Sequence, residues 1–158
     1  VIAAASRRPI RFVMDHRIYR MPLIGFVFRH MHAIPIAPAR EDAAMMEAAF
    51  EEVAQALAAG ELVAIFPEGR ITDTGELYPF RPGVQRIVGR TPVPVVPMAL
   101  QGLWGSFFSR KDGPAMSRPL RRGMFSKIAL TVGTPVAPAA ATPEHLQQII
   151  AGLRGDWR

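Results

Sequence analysis

The chain has 158 residues, of which 49% are hydrophobic and none is cysteine, and a formal net charge of +6. That length suits one domain with a continuous core, and the missing cysteines exclude disulfides, thiolate nucleophiles and cysteine-ligated zinc or iron–sulfur sites. The charge favours anionic partners, whether nucleic acid, phosphorylated small molecules or an acidic membrane face. The longest apolar stretches, Met21 to Phe28 around Gly25 and Pro92 to Leu100 with its prolines, fall short of the roughly 20 residues that a spanning helix needs.

Val1 to Ser6, followed by Arg7 and Arg8, has its charges after the apolar residues, the reverse of a secretory signal peptide, and reads as the end of a helix. Ile10 to Met14 reads as a strand. His16 to Met31 carries Ile18, Leu23, Phe26 and Val27 at helical spacing around Pro22 and Gly25, which predicts a broken helix. Ala33 to Ile36 is a second short strand, closed by Pro38. From Asp42 to Ala58, Met45, Met46, Ala49, Val53 and Leu57 make one apolar helical stripe with Gly60 as its stop.

Leu62 to Phe66 reads as a buried strand that ends abruptly in Pro67-Glu68-Gly69-Arg70, and Thr72 to Arg81 as a polar turn region. Pro82 opens a helix with Val84, Ile87 and Val88 as its apolar face, ended by Gly89 and Pro92. Pro94 to Leu100 reads as another buried strand and Lys127 to Val132 as the last one. Pro135 to Ala141 is a linker, and Thr142 caps a final helix with Leu146, Ile149, Ile150 and Leu153. Alternating strands and helices predict an α/β fold with a mostly parallel mixed sheet flanked by helices, as one domain over 1–158. Ligands of such sheets gather at the carboxyl ends of strands, which directs attention to Phe66 onward.

Glu68-Gly69-Arg70 places a carboxylate, a position without a side chain and a guanidinium at that end. Arg70 can donate a bidentate pair of hydrogen bonds to a phosphate, and Gly69 lets the backbone approach closely or take a positive φ. Glu68 would repel phosphate, so it orients Arg70 or accepts a hydrogen bond from a substrate hydroxyl. A solvated surface Glu–Arg pair is the plain alternative. Further on, Trp104, Phe107, Phe108, Arg110, Lys111, Arg121 and Arg122 mix aromatic and basic side chains in one segment, as suits contact with a lipid–water interface. The other possibility is a long loop whose aromatics return to the core.

The string Phe66-Pro67-Glu68-Gly69-Arg70 resembles the third sequence block of the glycerolipid (1-acylglycerol-3-phosphate type) acyltransferases, and Val93-Pro94-Val95-Val96-Pro97-Met98-Ala99-Leu100 looks like their fourth. Ala33-Ile34-Pro35-Ile36 followed by Arg40 is similar to the second. With Leu103 to Arg110, the resemblance is greatest to the acyltransferase domain of bacterial bifunctional proteins that reacylate 2-acylglycerophosphoethanolamine and also carry an acyl–acyl-carrier-protein synthetase, sometimes behind a transporter.

The resemblance implies a glycerol-3-phosphate acyltransferase-like fold in which Glu68, Gly69, Arg70 and Arg40 bind the phosphate–glycerol part of a lysophospholipid. It implies transfer of a fatty acyl chain from acyl-carrier protein or coenzyme A, with no metal or other bound cofactor, at the cytoplasmic face of the inner membrane as a peripheral protein.

The family's first block, a histidine and an aspartate separated by four residues, does not occur here, so the expectation is an N-terminally truncated domain, with the catalytic pair upstream of Val1 and inactive alone. A glycerol hydroxyl needs such a base to attack a thioester. His16, His30, His32 and His145 read as ordinary structural or solvated histidines. Two rival readings are a non-catalytic lysophospholipid or anionic-membrane binding module, and a nucleic-acid binder, which only the charge supports and which the lack of any such motif disfavours.

Overall fold

The computed structural model describes residues 1–104 and 127–156, and the chain divides into two compact units. One comprises Ile2–Pro67 and Gly83–Val93; the other comprises Val1, Glu68–Pro82 and Pro94–Arg158.

The first unit carries a parallel sheet. After a single helical turn, α1 (Ile2–Ala5), strand β1 (Ile10–Asp15) lies between β2 (Ile34–Ile36) and β3 (Leu62–Ile65). Val13 is opposite Ile34, and Ile10 is opposite Leu62. Parallel neighbours need crossover connections, and helices supply them. The broken helix expected after β1 is two helices, α2 (His16–Tyr19) and α3 (Pro22–His30). Asp15 caps α2 by accepting the Arg17 N–H at 2.8 Å, and Pro22, with no N–H to leave unpaired, opens α3.

Between β2 and β3 runs α4 (Ala43–Ala58), where the Asp42 carboxylate caps the first turn by accepting the Met45 N–H at 2.8 Å. It ends as Gly60 predicts: the Gly60 N–H bonds the Leu57 carbonyl at 3.0 Å and the Glu61 N–H the Ala56 carbonyl at 2.9 Å, the paired bonds of a Schellman ending. Its buried face is Ala49, Phe50, Val53 and Ala56, so Phe50 and Ala56 join the expected stripe, while Met46 and Leu57 pack at its margin. Ala49, Phe50 and Val53 form one core cluster with Val13, Ile34 and Ile87.

Ile87 comes from α5 (Gly83–Arg90), which buries Val84, Ile87 and Val88 as expected but continues through Gly89: the Thr91 N–H still bonds the Ile87 carbonyl at 2.9 Å. Arg86 and Arg90 both pair with Glu47 of α4, and the Arg86 guanidinium lies 4.2 Å from the Phe50 ring centroid, roofing the core. All four residues of β3 are half-buried rather than buried, because β3 is at one end of this strand order. Phe66 lies beyond the strand, 52% exposed, its ring stacked on Phe12.

In the second unit, β4 (Met98–Gln101) and β5 (Ala129–Val132) pair antiparallel, Met98 opposite Val132. The continuous strand expected from Pro94 to Leu100 is shorter. Pro94 and Pro97 lack the N–H that a ladder needs; before Met98 only an isolated bridge joins Val95 to Val136, and Val96 is exposed. The expected linker contains a 3-10 turn, Pro138–Ala140, with Val136 and Ala141 buried on either side. Helix α6 (Pro143–Arg154) is capped by Thr142, whose hydroxyl accepts the His145 N–H at 3.3 Å, and it buries Leu146. The Gln101 side-chain amide closes its far end by donating to the Leu153 and Arg154 carbonyls at 3.0 and 2.9 Å. The chain is of the α/β class, with a parallel three-stranded sheet flanked by helices.

Candidate functional site

Residues 68–81, within the second unit, form a loop whose two ends meet. Glu68 is half-buried, and its carboxylate accepts the Tyr78 backbone N–H at 2.8 Å. Burial pushes its pKa above the ordinary value; the Tyr78 N–H and the charges of Arg154 and Arg70 pull in the opposite direction. Gly69 has φ +66°, a conformation that costs an L-residue, and a β-carbon there would stand 2.9 Å from Arg81 Nε and 3.1 Å from its Cζ. Gly69 thus takes the left-handed turn, and the group lying against the face that a β-carbon would fill is the Arg81 side chain.

Arg70 is exposed, its guanidinium carbon 3.5 Å from the Tyr78 ring centroid. The Tyr78 hydroxyl in turn donates to Asp73, which raises the phenol's pKa. Glu68 and Arg70 make no salt bridge among the described residues; both meet Tyr78, the carboxylate at its backbone N–H and the guanidinium at its ring. A guanidinium stacked this way keeps its in-plane N–H donors available for an anion.

The rest of the loop is tied down from α6. Arg154 donates to the Gly75 carbonyl at 2.9 Å and to Glu76 at 3.1 Å, and the Phe80 N–H donates to Gln147 at 3.1 Å. Inside it, the Thr72 hydroxyl accepts the Gly75 N–H at 3.1 Å.

Arg40 belongs to the other unit, exposed in the turn where the Glu41 and Asp42 N–H groups share the Pro38 carbonyl at 2.8 and 3.0 Å. Trp104 is half-buried with its indole against Gly75, where a β-carbon would meet it at 2.8 Å. The other residues expected at a membrane, Phe107, Phe108, Arg110, Lys111, Arg121 and Arg122, lie outside the described residues.

Among the histidines, His30, His32 and His145 are exposed. His16 is largely buried, with Nδ1 3.7 Å from the Asp15 carboxylate and no hydrogen-bond partner. Tyr78, Arg81 and Arg154 are absent from the sequence-based site. The available signal was the pair of cationic and aromatic positions bounding a turn-rich stretch that must return to the next helix.

A model of the Acyltransferase family matches residues 1–101, and the chain belongs to that family. Its relatives include the 1-acyl-sn-glycerol-3-phosphate acyltransferase BAT2, chloroplastic, of Brassica napus, 32% identical over 92 residues that cover 58% of this chain and 26% of that protein. The probable 1-acyl-sn-glycerol-3-phosphate acyltransferase of Mycoplasma pneumoniae is 26% identical over 99 residues, 63% of this chain and 36% of its own length. The chain therefore spans between 26% and 36% of the length of these two relatives. The crystal structure of the 1-acyl-sn-glycerophosphate (LPA) acyltransferase PlsC from Thermotoga maritima shares the fold, with a TM-score of 0.58 at 18% identity over 90% of this chain and 52% of that one. No helix among the described residues is long and apolar enough to cross a membrane.

Proposed function

We propose that the chain is the acceptor-binding part of a lysophospholipid acyltransferase. The Glu68–Gly69–Arg70 turn, held in place by Tyr78, carries the reading: it offers a guanidinium in no salt bridge among the described residues, in a chain whose family match spans the turn. The names of the relatives support a lysophosphatidate-type acceptor. The resemblance to the bifunctional bacterial proteins supports 2-acylglycerophosphoethanolamine as a second candidate, with a synthetase or transporter domain in the same protein.

In the reaction, the acceptor hydroxyl oxygen attacks the carbonyl carbon of an acyl thioester. The ester C–O bond forms, the C–S bond breaks, the hydroxyl proton passes to a base, and the thiol of acyl-carrier protein or coenzyme A leaves. Arg70 binds the acceptor phosphate; Glu68 fixes the turn; no resident metal or cofactor takes part. The base is the histidine of a His-x4-Asp pair, which these 158 residues do not contain, so they do not turn over alone. The segment from Trp104 to Arg122 meets the cytoplasmic face of the membrane, from which the lipid is taken.

The test measures acyl transfer to lysophosphatidate and to lysophosphatidylethanolamine, with both donors, in the full-length protein and its Arg70→Ala variant. Turnover that Arg70→Ala abolishes supports the enzyme. Binding of lysolipid without turnover by any form replaces it with a non-catalytic binding module.

A further inference from the structure

Two guanidiniums attend the Gly69 turn. Arg70 follows it in sequence and rests on Tyr78, while Arg81 lies against the face of Gly69 that a β-carbon would fill. Both residues are exposed, and among the described residues neither makes a salt bridge. Arg154, whose charge also reaches Glu68, is differently placed: its two terminal nitrogens are spent on Gly75 and Glu76. Glu68 accepts the Tyr78 N–H and feels the charge of Arg70, but among the described residues it makes no salt bridge with either arginine. The turn thus holds two guanidiniums, neither in a salt bridge among the described residues, on a backbone tied by the bond from Tyr78 to Glu68.

We infer that Arg81 is a second anion ligand of this site and that the Arg70–Arg81 pair selects a phosphomonoester over a phosphodiester. The inference rests on the acceptor-site reading above and names the headgroup class. A phosphomonoester carries about −1.5 to −2 charges near pH 7 and presents three terminal oxygens, enough for two guanidinium forks to engage it together. A phosphodiester has a single charge and fewer free oxygens, and the ammonium of an ethanolamine headgroup would meet a second cation. Its complement is one arginine; a monoester's is two. Gly69 is what makes room: any side chain there would push Arg81 off the turn.

The experiment pairs binding with turnover in the full-length protein. Calorimetry compares glycerol 3-phosphate, a monoester, with glycerophosphoethanolamine, a diester, for the wild type, Arg81→Gln and Arg81→Lys; kinetics then compares lysophosphatidate with lysophosphatidylethanolamine.

The expected result is a wild-type preference for the monoester that Arg81→Gln reduces by about tenfold or more through weaker monoester binding. Diester binding and the melting temperature stay unchanged, the loss appears in KM rather than kcat, and Arg81→Lys restores part of it. Equal losses for both ligands, or no loss for either, overturn the inference. Monoester binding that depends on Arg81 without transfer to either acceptor would leave the anion site standing and remove the transferase reading. Transfer to both acceptors that ignores Arg81 would do the opposite.

Discussion

The Arg70 guanidinium lies 3.5 Å from the Tyr78 ring centroid, and the backbone N–H of that same Tyr78 is held by Glu68. One residue therefore couples the two charged members of the Glu68–Gly69–Arg70 turn. The stacking is a property of the ring face, worth about 0.5–1 kcal/mol at an exposed site. Tyr78→Phe keeps the face and loses only the bond to Asp73, so acceptor KM should stay near the wild-type value. Tyr78→Leu removes the face and should raise KM several-fold with kcat little changed. Steady-state kinetics on the two variants checks this, and equal effects would place the hydroxyl, not the ring, in charge of Arg70.

Glu68 gives a pH dependence with a definite sign. Its carboxyl holds its proton more tightly in the folded protein than in the unfolded chain, chiefly through burial. Stability from this group is therefore fully present below the unfolded value and is lost as pH rises through the folded one. Glu68→Gln keeps an acceptor for the Tyr78 N–H and cannot ionise. Melting temperatures of wild type and variant should converge at acid pH, and the variant should gain relative to wild type toward neutrality. A pH-independent difference would refute the assignment.

Gly69→Ala combines two costs. A left-handed residue other than glycine is strained by about 1–2 kcal/mol, and the added β-carbon would collide with Arg81. Gly69→Asn relieves part of the strain but not the collision. Urea denaturation should show Asn less destabilised than Ala, whereas acceptor KM should rise for both.

In the parallel-sheet unit, Phe50 is 6% exposed in the core cluster and Phe66 is 52% exposed beyond β3. Phe50→Ala should cost about 3–5 kcal/mol by urea unfolding. Phe66→Ala, which gives up a solvent-facing stack on Phe12, should cost clearly less. Comparable losses would mean that the Phe66 ring is covered in the working protein.

The helix α4 was legible to its ends because its signals are local: Asp42 caps, Gly60 stops, and the apolar spacing selects one face. Phe50 lies outside the stripe that the spacing predicts, because a core-facing helix buries adjacent positions as well. Pro94 to Leu100 forms less strand than its apolar composition predicts, since composition says nothing about the N–H groups that its prolines lack. At the site, Glu68, Gly69 and Arg70 stood out because they are consecutive. Arg81 did not, since its contact with Gly69 depends on a loop closing through Tyr78, Gly75 and Arg154, which no spacing rule encodes.

The register of the parallel sheet also fixes an order of events. Strand β1 meets β2 after a short excursion, but Ile10 cannot meet Leu62 until about 50 more residues have been made, some 3–10 s of synthesis at ordinary elongation rates. Through that interval one flank of β1 has no strand to pair with, the condition under which nascent chains join edge to edge. Closing so long a loop is slow even once the chain is complete. The strand that delivers the candidate site is thus the last to join its sheet, and a ribosome that stalls before Leu62 leaves behind a sticky half-sheet rather than a merely inactive one.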